Sequence, residues 1–191
     1  MEMETLLGII AGVGLSAACG FRVFVPLLVM NLAVLSGGLH LSSGFEWIGS
    51  YYATIAFATA TIVEVLAYYI PWVDHVLDMI TSPLAILAGM LATAAVITDL
   101  PPFWKWTLSI IAGGGIAAMV QGATVTLRAK SSVLTAGGGN FLVSTVEVLG
   151  ATVTALFAIL LPFICFALIV VFFIFVIRKT GRLFSKKVKA S

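Results

Sequence analysis

The chain reads as an all-α membrane protein: a polytopic bundle of six transmembrane helices arranged as a 3+3 inverted repeat. Three observations predict this. Of 191 residues, 61% are hydrophobic and 9% charged, whereas soluble domains carry about 25% charged residues. Apolar runs close to the roughly 20 residues needed to cross a bilayer recur along the chain. The string VEVL occurs twice, in TIVEVLA (61–67) and in STVEVLG (144–150).

The first span is expected from Leu6 to Leu35, the second from Tyr51 to Ile70, the third from Pro83 to Thr98 and the fourth from Trp106 to Leu127. The run from Phe141 to Ile177 is too long for one span without a steep tilt. Pro162 lies near its centre and should break or turn a helix. It is read as two spans, 141–160 and 163–178, joined by a tight turn. The acidic start, MEMETLLG, lacks the basic region and cleavage site of a signal peptide, so the first helix is expected to be retained.

Lys and Arg accumulate in cytoplasmic loops. Six spans with both termini cytoplasmic put Arg128, Lys130 and the basic tail (Arg178, Lys179, Arg182, Lys186, Lys187, Lys189) on that side, and leave Lys105 outside. Trp104 and Trp106 would anchor one interface; Tyr68, Tyr69 and Trp72 would anchor the other. A bacterial inner membrane is the expected location, and the tail suits anionic inner-leaflet lipid better than nucleic acid. The chain divides into a first repeat at about 5–100, a second at about 104–178 and a tail at 179–191, all within one transmembrane domain. Glu64 and Glu147 occupy matching points of the repeated VEVL, Pro83 and Pro162 open matching spans, and GVGLSAA (12–18) resembles GGGIAA (113–118). Three helices per unit force the second unit to be inverted, as in transporter folds.

Arg22 stands inside the first apolar run, in LSAACGFRVFVPLL (15–28). A charge at the centre of a membrane helix costs at least about 2.5 kcal/mol unless it is paired. The economical solution is Arg22 bridging Glu64, Glu147 or both. One cation against two anions leaves an excess of one negative charge, suited to a proton or metal cation as coupling ion. Gly20 before Arg22 and Pro26 after it predispose the helix to kink or unwind, and broken helices at membrane depth bind ions and polar groups. The plainer alternative is an ion pair that fixes helix register.

A second constellation is IPWVDHVLDMITSP (70–83). Asp74 and Asp78, at i and i+4, share a helix face, and His75 lies beside them. A short interfacial helix is expected at 72–80. These three residues could bind a divalent metal or relay protons, or simply be a solvated turn; the four-ligand spacing of a structural zinc site is missing. Asn140, after three glycines, reads as a helix N-cap. Cys19 and Cys165 form neither a CxxC motif nor a disulfide framework.

At GFRVFVPLL (20–28), YYIPWVDHVLD (68–78) and the GGG-N-xxxx-TVE stretch (137–147), the chain resembles a family of small bacterial inner-membrane proteins that carry a domain of unknown function. The resemblance covers nearly the whole chain. It implies a multi-pass membrane protein and singles out Gly20, Phe21, Arg22, Pro26, Pro71, Asp74, Asp78 and Glu147 without giving them roles.

Three functions follow. The first is a small secondary transporter or lipid flippase, plausibly a homodimer, with Arg22, Glu64 and Glu147 at its centre and Asp74, His75 and Asp78 at its inner mouth. The second is a scaffold or lipid-binding protein in which the charges only pair with one another. The third is a membrane-embedded enzyme using Asp74, His75 and Asp78, which lacks a nucleophile or a third ligand at fixed spacing.

Overall fold

A computed structural model describes residues 2–70, 73–135 and 138–188; the side chains of Glu2, His75 and residues 176–177 and 179–188 lie outside the description. The regular elements among the described residues are all helical.

Helix α1 (Glu2–Phe21) is apolar and rich in small residues. It stops where Arg22 and Val23 leave the helix, and α2 (Phe24–Leu35) begins immediately. Pro26 falls in the first turn of α2, where a missing N–H removes no helical hydrogen bond. α2 does not extend α1; the chain folds back. The Ser42 N–H donates to Ala95 O at 2.7 Å, and the neighbouring Val96 O packs against Gly8, near the start of α1. A straight continuation would leave about 38 Å between Leu35 and that level, at 1.5 Å per helical residue. The stretch from Leu35 to Ser42 reaches about 25 Å at most. The run expected as one span is therefore a helical hairpin with its bend at Arg22–Val23, two residues beyond Gly20.

The end of the bundle where α1 starts is called proximal here, the other distal. A 3-10 turn (Glu46–Gly49) leads into α3 (Tyr51–Ala67), whose first turn is capped by Ser50 Oγ accepting from Ala53 N–H at 3.1 Å. α3 runs distally, with Glu64 close to Val23. α4 (Val73–Val96) returns antiparallel to α1: Gly89 meets Ser16, Thr93 meets Gly12 and Val96 meets Gly8. α5 (Pro102–Leu108), a π-helical turn (Ser109–Gly114) and α6 (Gly115–Thr135) run distally as one apolar stretch. α7 (Asn140–Leu160) comes back, Leu161 leaves the helix, and α8 (Pro162–Val188) starts with proline at its first position. Cys165 lies beside Gly14, and Phe172 and Phe173 share a pocket with Phe21, so α8 runs parallel to α1.

Among the described residues four helical segments are long and apolar enough to cross a membrane: Met3–Phe21, Val76–Val96, Pro102–Thr135 and Asn140–Leu160. Phe24–Leu35, Tyr51–Ala67 and Pro162–Phe175 are shorter apolar helices. α1 is the axis, contacted by α4, α6, α7 and α8. Its Leu15, Ala18 and Cys19 are fully buried. Large apolar side chains cover the outside, among them Leu142, Val146, Leu149, Phe163, Ile164 and Leu168. A soluble monomer rarely shows so extensive an apolar surface; a bilayer covers it.

Several expectations change. The hairpin adds a transit, so α1 starts at one end of the bundle and α8 finishes at the other; the expected six spans with both termini on one side do not form. Glu64 and Glu147 both lie towards the distal end, whereas an in-plane twofold axis would put equivalent residues on opposite sides of the midplane. The VEVL match alone therefore does not establish an inverted repeat. Residues 73–80 are not an interfacial helix but the first two turns of α4. Pro83 sits inside α4 rather than opening it. Thr81 and Ser82 hydroxyls donate to Leu77 O and Asp78 O one turn back, while the carbonyl that loses its helical donor to Pro83 is that of Met79. Trp72 and Pro71 lie outside the described residues.

The α1–α4–α6 contact depends on residues without bulk. A Cβ on Gly89 would lie 2.6 Å from Ala117 Cβ and 3.0 Å from Gly113 O, whereas one on Gly122 would meet nothing within 4 Å. Gly89→Ala is expected to destabilise the protein by about 1–3 kcal/mol through overpacking. Gly122→Ala, inside α6, should be neutral or stabilise by up to about 1 kcal/mol. Thermal unfolding of both variants in detergent checks this.

Candidate functional site

The bend at Arg22–Val23 creates two problems. It frees the first N–H groups of α2, and it leaves a guanidinium inside the bundle. The N–H groups are met from α3. The Glu64 carboxylate accepts from Val23 N–H at 2.9 Å and Phe24 N–H at 3.1 Å. A carboxylate at a helix N-terminus also complements the helix dipole. Glu64 is thus the cap of the bend and not the direct partner of Arg22.

Arg22, 1% exposed, turns to α7 instead: its Nη2 lies 3.0 Å from Glu147 Oε2 and 3.4 Å from Ser144 O. The same Glu147 oxygen accepts from Arg128 Nη2 on α6, and Arg128 Nη1 donates to Asp78 Oδ1 on α4. Both guanidinium groups pack on the Tyr68 ring, with Cζ at 3.8 Å (Arg22) and 4.2 Å (Arg128) from its centroid. The Tyr68 hydroxyl donates to Asp78 Oδ1 at 2.9 Å and shares a hydrogen bond with Thr81 Oγ1 at 2.7 Å. α6 supplies its part from one face: Gln121, Thr124 and Arg128 are all buried.

Two cations and two anions balance here: Arg22 and Arg128 against Glu147 and Asp78. Glu64, held by the backbone N–H groups beside Arg22, adds a third carboxylate, so the expected excess of one negative charge remains after Arg128 joins the site. Hydrogen bonding is incomplete as well. Arg22 Nε and Nη1, Arg128 Nε and Glu147 Oε1 are buried without a partner among the described residues. Buried polar groups are rarely left so. The network lies seven residues inside the start of α7, about 10 Å at 1.5 Å per residue.

Two grooves flank it. One, of about 660 Å3 between α3 and α4, is mostly apolar and reaches Glu64 and Thr81. The other, of about 310 Å3 between α4 and α6, is lined by Asp78, Met79, Ser82, Val125 and Ala129.

Of the residues expected to form a site, Arg22, Glu147 and Asp78 come together. Asp74 faces elsewhere, accepting from Asn140 Nδ2 at 2.6 Å. Asn140 is the first residue of α7 rather than its N-cap, and it also donates to Ser132 Oγ at 2.8 Å. The side chain of His75 lies outside the described residues. Among the described residues no group of three metal-ligating side chains forms. Gly20 is a packing residue: a Cβ there would stand 2.6 Å from Val120 Cβ and 2.7 Å from Ala117 O. Arg128 and Tyr68 were not expected in the site. The available signal for Arg128 was the Gln121–Thr124–Arg128 spacing, a polar stripe along one helix face.

The fold and its buried network define a helical membrane protein. The chain belongs to the family described as a domain of unknown function, DUF4126, whose model matches residues 9–182. No curated protein and no solved structure matches it.

If Glu64 holds the bend, its loss strips both caps at once. Glu64→Ala is expected to cost about 1–3 kcal/mol, the range for leaving buried donors unsatisfied. Glu64→Gln, which keeps one acceptor, should cost less. Unfolding midpoints in detergent rank the two; equal midpoints for both variants and wild type would contradict the capping role.

Proposed function

We propose that the chain is a small secondary transporter whose substrate path passes the Arg22–Glu147–Arg128–Asp78 network. The single observation that carries this reading is the network itself. It joins a bend between two helices to α4, α6 and α7, with donor groups left unpaired in a buried setting. Buried ionisable groups in membrane bundles mark ion and substrate paths. Each flanking groove is lined by a member of the site, Glu64 in one and Asp78 in the other, so small helix movements would open the network laterally. Towards the proximal end the path is shut by close packing of α1, α4 and the π-helical turn, through Gly12, Ser16, Thr93 and Gly113. Its polar lining, Ser16 Oγ to Gly89 O and Thr93 Oγ1 to Gly12 O, offers a hydrogen-bonding route once the helices part. π-helical turns are frequent at such functional points.

The distal end is assigned to the cytoplasm, because it carries the basic end of the chain and Lys130, against Lys105 at the proximal end. The start of α1 is then on the outside, and the membrane is the inner membrane of a bacterium.

The competing reading is a scaffold in which the network is a strut. Its support is the near-complete burial of Arg22 together with the pairing of Arg22, Arg128, Glu147 and Asp78 with one another. The two readings differ in whether the proximal seal ever opens. Thr93→Cys, in a background with Cys19 and Cys165 replaced by alanine, is expected to react slowly with a membrane-impermeant maleimide added on the proximal side. Absence of labelling over hours in a folded variant would sink the transporter reading and leave the strut.

A further inference from the structure

We infer that the network is a binding site for a small planar monovalent oxyanion, of carboxylate or nitrate shape, taken up together with one proton on Glu147. The inference rests on the transport reading for its use, though not for the binding itself.

The site already holds such a group. One oxygen of the Glu147 carboxylate sits between Arg22 Nη2 and Arg128 Nη2. A carboxylate is a planar oxyanion, and guanidinium binds that shape through pairs of nitrogens. Each arginine is one nitrogen short of such a pair. The Nε atoms of Arg22 and Arg128 have no partner, nor does Arg22 Nη1. If Glu147 withdraws, Nη2 loses its carboxylate on both arginines, Arg22 Nη2 keeping only the 3.4 Å bond to Ser144 O, and Nε with Nη2 presents a two-nitrogen edge on each. Glu147 therefore acts as a tethered competitor that satisfies less of the two guanidinium groups than a free anion would.

Charge balance sets the companion. With Glu64 beside them, Arg22, Arg128, Glu147 and Asp78 already stand in an excess of one negative charge, so an anion added alone would leave a second unpaired buried negative charge, which is strongly unfavourable. A proton on Glu147 removes one negative charge and breaks its hold on the arginines in a single event. The groups around Glu147 leave no equally simple alternative. From α4 come Asp78, fixed by Arg128 and Tyr68, and Asp74, bonded to Asn140. From α3 come Glu64, held by two backbone N–H groups, and after its end Tyr68. From the bend and α6 come Arg22 and Arg128. The proton and the anion arrive and leave together; no covalent bond is made or broken beyond the O–H of the Glu147 carboxyl.

Nitrate is the probe, because it does not titrate from about pH 8 to about pH 5 and any pH dependence then belongs to the protein. Its binding to purified protein in detergent is measured by calorimetry, and its flux in proteoliposomes is followed separately. In wild type the affinity should rise as pH falls, approaching tenfold per pH unit above the Glu147 pKa. Glu147→Gln should bind nitrate with little pH dependence, and Arg22→Lys, which keeps the charge but loses the planar group, should bind at least tenfold more weakly. The inference is overturned by pH-independent binding in wild type, by an unchanged pH slope in Glu147→Gln, or by unaltered affinity in Arg22→Lys. Flux of another solute without nitrate binding would sink this inference and leave the transporter reading. Proton-linked nitrate binding without any flux would do the reverse.

Discussion

One oxygen of Glu147, shared by Arg22 and Arg128, ties the distal end of this bundle together. The interaction is demanding because the three groups come from the bend after α1, from α6 and from α7. Each was drawn from water into a low-dielectric interior, where a charge without partners costs several kcal/mol. Helix positions that fail to bring these groups into register would leave a charge stranded. The network thus selects among the many ways in which apolar helices could pack, a selection that apolar contacts alone make weakly in lipid.

The bend between α1 and α2 follows from the same constraint. An arginine on a continuous helix would point wherever the helix face dictated. Placed at the bend, Arg22 reaches Glu147 while the freed N–H groups of the next helix are met by Glu64. The two glutamates that share a VEVL string do different work: one caps a helix and the other bridges two cations. Around α1 the small residues Gly12, Ser16, Gly89, Gly113 and Ala117 allow close approach, so the axis helix can touch four neighbours. Dense proximal packing and a charged distal network divide the molecule into a seal and a site.

Part of this was legible in the sequence. An arginine inside an apolar run has few tolerable solutions, so its partnership with a glutamate could be read directly, as could the turn at Pro162. The bend could not. A long apolar run from Leu6 to Leu35 suits a tilted span as well as a hairpin, and only the long-range contact of Ser42 with Ala95 separates them. Hydropathy falls at Arg128 as it does in a loop, although its spacing from Gln121 and Thr124 continues a helix face. Tyr68 carried the signature of an interfacial anchor and instead packs against two cations. Pro83 suggests a helix start, but it sits inside α4, which runs from Val73 to Val96. The repeated VEVL is weak ground for a repeat, because four matching residues arise easily in a sequence drawn from few residue types.

The most direct test of the shared carboxylate is a double-mutant cycle on Arg128 and Glu147, read as unfolding free energy in detergent for Arg128→Gln, Glu147→Gln and the pair. If both belong to one network, each single change takes one of two partners from the other charge and unbalances the site, and the double variant should be more stable than the sum predicts by at least about 1.5 kcal/mol. Additivity within about 0.5 kcal/mol would show that the two side chains act independently, and would remove the interaction on which the proposed site and its coupling to a proton both depend.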